Sequence, residues 1–292
     1  MEVGLMKLWR KLSFLLLTCF LFAFYSYSHA QTVVVPKVQG EKEQILYDIL
    51  ALTLSKSAPS ITLSTLPEVL NEAQLVSEVE AENLDVMWSG GDKEKDERLE
   101  AVRIPVLKGL LGHRIFLIRK EDVARFSTIK TFEDLLQFEA GQGRFWGDTQ
   151  ILKSAGIPTV TTIKYKNLFP MLEGGRFDYF PRALHEPFIE AANHQHLDLV
   201  VDTNVMLVYP YAMYFYVNKN DKRLHDLIYS GFEQAIEDGS YDELFFNNSM
   251  IQDVLTKANI AERTVFRVGN PHLHPDTPLN RTEFWLDLQN LQ

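Results

Sequence analysis

Short β-branched or apolar runs alternate with amphipathic stretches along almost the whole chain, and no other feature narrows the possible folds as much. Residues 32–36 form a β-branched run that predicts a strand. Residues 41–56 predict a helix, with Ile45, Ile49, Leu52 and Leu54 at apolar positions. A second strand is expected at 61–63, a helix at 67–79, and a buried strand at 84–88 that stops at Ser89-Gly90-Gly91. Further strands are expected at 113–119, 159–165, 177–180, 197–201 and 214–217. Helices are expected at 132–138, 146–155, 167–173, 186–194 and 224–237, and Gly141-Gln142-Gly143 reads as a loop that opens one of them. The alternation predicts an α/β fold. No repeat or low-complexity segment interrupts it, and 270–279 reads as a surface connection or tail.

The N-terminus follows a different logic. Lys7, Arg10 and Lys11 precede an apolar run at 14–24, which is short for a bilayer span, and Ser28-His29-Ala30 follows. This order is that of a secretory signal peptide cleaved after Ala30. The sole cysteine, Cys19, lies within the apolar run, so the mature chain would carry no thiol and no disulfide. Removing residues 1–30 takes away three basic residues and one acid, so 29 basic against 39 acidic residues becomes 26 against 38, a net charge of −12. Such a balance argues against nucleic acid as a partner. About 260 residues with no glycine- or proline-rich linker suit two lobes with subtle boundaries. The candidate crossings are Leu110-Leu111-Gly112 and Tyr209-Pro210-Tyr211.

Three stretches in order carry a resemblance to a known family. The first is Leu84-Asp85-Val86-Met87-Trp88-Ser89-Gly90 followed by Glu97-Arg98-Leu99. The second runs from Leu172 through Gly174-Gly175-Arg176-Phe177-Asp178 to Tyr179. The third is Tyr216-Val217-Asn218-Lys219, continued by Ile236-Glu237-Asp238-Gly239-Ser240-Tyr241. Together they resemble the type II periplasmic solute-binding proteins, in the branch of polar amino-acid receptors of ABC importers. The resemblance implies two α/β lobes, each a mixed sheet flanked by helices. The first lobe would hold 31–110 and 211–292 and the second 111–210, with a ligand in the cleft between them.

The same resemblance marks candidate ligand residues. Arg98 matches the family arginine that grips a carboxylate, and a guanidinium fork suits that task. Trp88, Ser89 and Gly90 stand at a strand end, where open α/β sheets place ligands. Trp146, Asp148 and Thr149 open a helix whose free N–H groups could face the cleft, although Asp148 could also be only a cap. Near Ala183 the family places an aspartate for the ligand ammonium, and this chain has none there. Either Glu186 takes over that role, or the ligand lacks an amino group and Arg182 joins Arg98 in holding an anion. The front loop, Pro36 to Gly40, also lacks the family's long aromatic segment.

The expectation is a periplasmic, monomeric solute-binding protein that uses no metal or cofactor. It would take a small polar solute, either carboxylate-bearing or amino-acid-like, and hand it to a membrane permease complex. The alternative is a sensor that presents its bound form to a membrane signalling protein. No hydrolase, metalloprotease or P-loop motif is present, and the reading is not an enzyme.

Overall fold

A computed structural model describes residues 31–286, so the expected signal peptide lies outside the described residues. Strand β1 (Thr32–Val35) pairs in parallel with β2 (Thr62–Thr65), and helix α1 (Glu41–Ser57) connects them. Helix α2 (Glu72–Glu80) starts later than the 67–79 expectation. Asn71 caps it with a box in which its side chain accepts from Gln74 N–H and Gln74 answers to the Asn71 N–H. Next come β3 (Val86–Gly90), α3 (Lys93–Arg98) and β4 (Leu99–Val102). Strands β3 and β4 belong to a separate three-stranded sheet, completed later in the chain, and Asp85, the residue before β3, ties it to β1. The Asp85 carboxylate accepts from Val34 N–H at 2.6 Å, and its own N–H donates to the Val34 carbonyl at 3.0 Å.

The chain then enters the sheet of the second lobe at β5 (His113–Arg119). It continues through the single turns α4 (Val123–Phe126) and α5 (Phe132–Leu135) to β6 (Ala140–Gly143), α6 (Gly147–Ser154) and β7 (Thr159–Thr162). After these come α7 (Leu168–Glu173), β8 (Tyr179–Ala183), α8 (Pro187–Asn193), β9 (Leu199–Val201) and β10 (Val205–Val208). It returns to the first lobe with β11 (Met213–Asn218), which lies antiparallel between β3 and β4, and with α9 (Lys222–Glu237), α10 (Ser240–Asn247) and α11 (Ser249–Lys257). A last strand, β12 (Thr264–Arg267), crosses back and pairs in parallel with β10. The second lobe's sheet therefore runs β12-β10-β5-β8-β6-β7, with β9 also on β5.

Two expectations change here. Gly141-Gln142-Gly143 is a buried parallel strand and not a loop. A Cβ on Gly141 would lie 2.2 Å from the Phe177 ring, so glycine lets that ring close the sheet face. The assignment of 211–292 wholly to the first lobe also fails, because β12 covers the edge that β10 would otherwise expose. Arg263 fastens this strand, donating to the carbonyls of Ala258 and Val205 at 2.6 and 2.9 Å.

In the first lobe α9 packs on α1 at very close range. A Cβ on Gly231 would stand 2.0 Å from the Thr53 carbonyl oxygen, a backbone atom that cannot swing aside. Gly231→Val should therefore destabilise the fold by at least about 2 kcal/mol in chemical denaturation. A cost under about 0.5 kcal/mol would mean that the helices separate freely.

Candidate functional site

The C-terminal ends of β1 and β3 in the first lobe, and of β6 and β8 in the second, converge on one interlobe cleft, as open α/β sheets favour. One cavity of about 760 Å³ lies between the opening of α1 (Gly40 to Glu43), the β8–α8 loop and α11. A second, of about 320 Å³, lies between the β3–α3 loop and the β6–α6 loop. Tyr211 stands at the hinge beside the second. A Cβ added to Gly90 or to Gly147 would lie 2.4 or 2.7 Å from the Tyr211 hydroxyl oxygen. The two glycines, one from each lobe, thus leave room for a hinge tyrosine between them.

On the first-lobe wall, Ser89 Oγ donates to Glu72 Oε1 at 2.7 Å, and Lys95 is held by Glu72 and Asp92. Trp88 is 8% exposed and meets Phe215 edge-on at 6.4 Å between centroids, which makes it part of the core under this wall. Arg98 is not brought to the cleft. Leu99, its neighbour, pairs with Asn218 at the far end of β11, whereas Gly90 pairs with Met213 at the cleft end. Five residue steps separate the two ends, roughly 17 Å of strand. The Arg98 guanidinium instead grips Glu80, with Nε donating at 2.9 Å. The physical reason is α3 itself, which carries Arg98 one turn past the strand end and leaves Lys95 as the cation beside Ser89.

The second-lobe wall is a buried ionic network. Arg114 Nη2 lies 2.9 Å from Asp148 Oδ2, which also accepts from Gln142 at 3.1 Å and from the Tyr209 hydroxyl at 3.3 Å. Arg182 Nε donates to both oxygens of Glu190, at 3.0 and 2.8 Å, and its Nη2 reaches Glu186 at 2.9 Å. The Arg182 guanidinium also lies over Trp146, Tyr165 and Phe180, at 5.2, 5.5 and 4.7 Å from their centroids. Glu186 accepts the Ala183 N–H at 2.8 Å. Burial opposes its charge, but Arg182, His185 and Arg114 outweigh that and hold its carboxyl down at about 2. Thr149 is fully buried and bonds the Gly143 carbonyl at 2.7 Å, closing the β6–α6 corner.

Trp146, Asp148, Arg182 and Glu186 thus come together; Gly90 packs against the Tyr211 hydroxyl, buried Ser89 bonds Glu72, and Trp88, Thr149 and Arg98 serve elsewhere. Sequence reasoning missed Glu72, Lys95, Arg114, His185 and Glu190. Arg114 had a visible signal, a cation inside the otherwise apolar strand Ile115-Phe116-Leu117-Ile118. His185 is 8% exposed, lines the larger cavity, and has no partner for either ring nitrogen among the described residues. Burial pushes its pKa down to about 4, so it is neutral at neutral pH.

Neither a protein-family model nor a curated protein matches the chain. Solved structures do match at low identity. An ancestral arginine-binding protein bound to arginine is 15% identical, with 75% of this chain and 98% of that one covered at a TM-score of 0.53. A probable amino-acid ABC transporter extracellular-binding protein from Bacillus subtilis is 15% identical, with 76% and 99% covered at 0.56. A histidine kinase sensor domain with similarity to periplasmic binding proteins is 14% identical, with 75% and 96% covered at 0.53. With β1 to β4 and β11 in one lobe, β5 to β10 in the other and a cleft at their strand ends, the chain has the two-lobed fold of the type II periplasmic binding proteins.

Proposed function

We propose that the protein captures a small polar solute between its lobes and presents the closed form to a membrane partner. The observation that carries this reading is the cavity of about 760 Å³, whose walls come from both lobes and carry charged side chains on each. A volume of that size suits a small molecule. The reading is binding and not catalysis. Glu186, the carboxylate best placed for acid–base work, is held ionised by two arginines at about 2, far from neutrality.

The partner is an importer permease in the first reading, supported by likeness to amino-acid transporter binding proteins. A signalling partner is the second, supported by likeness to a kinase sensor domain. Both readings place the protein in the periplasm, supported by the signal-like order of residues 1–30. Among the described residues no helix is long and apolar enough to cross a membrane.

The test is a panel of anionic, zwitterionic and cationic solutes, read by thermal unfolding and small-angle scattering. A solute at 100 times its Kd adds about 2.7 kcal/mol of stability. For a chain of this size that raises Tm by roughly 5–10 °C. The radius of gyration should fall with the same solute. A panel without any effect on either quantity would end the solute-binding reading.

A further inference from the structure

We propose that the interlobe cavity takes an organic cation, an amine or guanidinium, and recognises it without a clamp for a carboxylate. This rests on the solute-binding reading and adds the charge class of the solute. Five carboxylates line the cavity: Glu41, Glu43 and Asp253 on the first lobe, Glu186 and Glu190 on the second. The cations there are Lys42, Lys257 and Arg182, which leaves two negative charges in surplus.

Most cations that could hold an acidic solute are already engaged. Arg182 is saturated by Glu186 and Glu190, and Arg114 lies between Asp148 and Glu186. Lys95 is shared by Glu72 and Asp92, while Lys42 leans on Glu43 at 3.3 Å and Lys257 on Asp253. Freeing Arg114 or Arg182 for a ligand carboxylate would leave a buried partner uncompensated. Lys42 and Lys257 sit in surface pairs that hold them weakly. Arg98, the expected clamp, is committed to Glu80 at the other end of the sheet.

A second observation points to a hydrogen-bond donor as the occupant. His185 lines this cavity, is more than nine-tenths buried, and has both ring nitrogens unpartnered among the described residues. A neutral imidazole offers one acceptor nitrogen, and ammonium and guanidinium groups are donors only. A small rearrangement of the ring would satisfy it against a bound N–H. Tyr165, Phe188 and Val254 on the same walls supply apolar surface for an alkyl stem.

Two cations at the smaller cavity remain available to an acid, Arg144 and Lys93, the latter only loosely paired with exposed Glu97 at 3.8 Å. Arg144 is exposed and has no ion pair among the described residues, so an acidic solute would use it or Lys93. The deciding pair of probes is therefore agmatine and arginine, which share a guanidinium and differ by one carboxylate. Cadaverine, spermidine and glutamate complete the set, with the mature chain in calorimetry.

Agmatine should bind at least as tightly as arginine, and glutamate should show no heat. Changing the exposed rim acid Glu41 and the neighbouring Glu43 together to glutamine should weaken agmatine about tenfold, while Arg98→Ala leaves it unchanged. Arginine binding more than tenfold tighter than agmatine would overturn the proposal and leave solute binding standing. So would glutamate binding that Arg144→Ala or Lys93→Ala abolishes. If agmatine, cadaverine and spermidine all fail while another solute closes the lobes, the cation class is wrong. If no solute of any charge binds, the solute-binding reading falls with it.

Discussion

Arg114→Met should destabilise the protein by about 3–5 kcal/mol, the usual cost of stranding a buried charge partner. The guanidinium is 3% exposed and faces Asp148, itself 2% exposed, with Glu186 at 3.8 Å on its other side. Methionine fills much of the volume but compensates neither carboxylate. Thermal unfolding followed by circular dichroism should show Tm lowered by roughly 10 °C. Adding Asp148→Asn should recover part of that loss, since the stranded charge goes with it, while Gln142 and Tyr209 keep an acceptor. A loss under about 1 kcal/mol for Arg114→Met would show that water reaches this network freely.

Acid should weaken the fold in two steps. The first belongs to two histidines, His185 and His113, whose pKa values burial lowers from 6.5 to about 4; for His185, Lys42, Arg114 and Arg182 reinforce the shift and Glu186 opposes it. Because the unfolded chain takes up these protons first, stability is full above about pH 6.5. It is lost as the pH falls toward 4, and the loss reaches about 3 kcal/mol for each histidine. The second step belongs to Glu186, held at about 2 against 4.5 in the unfolded chain. Its contribution is present above about pH 4.5 and disappears as the pH falls through 2. Denaturant midpoints should hold from pH 7.5 to about 6.5 and fall from there to pH 4, and His185→Gln should remove about half of that slope, His113 supplying the rest. A wild-type protein with equal stability at pH 7 and pH 4.5 would contradict the burial of a neutral histidine here.

The fold was largely legible because its signals are local. The β-branched run at the front, the apolar strand ending in Ser89-Gly90-Gly91 and the periodic helix at 224–237 each specify an element within one short contiguous stretch. The misses had non-local causes. Gly141-Gln142-Gly143 carries turn composition, and it is a strand because Phe177 arrives from another segment to cover it. β12, at 264–267, has no counterpart among the expected strands, since its partner β10 lies some sixty residues earlier.

The site was legible by neighbourhood and not by role. The strand ends and the 182–186 loop were placed at the cleft by family spacing. Which charges remain free depends on partners distant in sequence, as with Arg98 and Glu80 or Arg114 and Asp148. Spacing along a chain cannot reveal whether a guanidinium is already spoken for.

The return of β12 to the second lobe sets a timetable for synthesis. A chain emerging N-terminus first has made every other strand of both lobes by Asn218, yet β10 waits for residues 264–267 before its outer edge is paired. Until then an intermediate carries an open strand edge of the kind that recruits other chains. The second lobe's sheet is thus finished only about 46 residues after the last of its neighbouring lobe's strands has been made. A protein held unfolded until release from a translocation channel would pass through this vulnerable stage once, with its last strand already at hand.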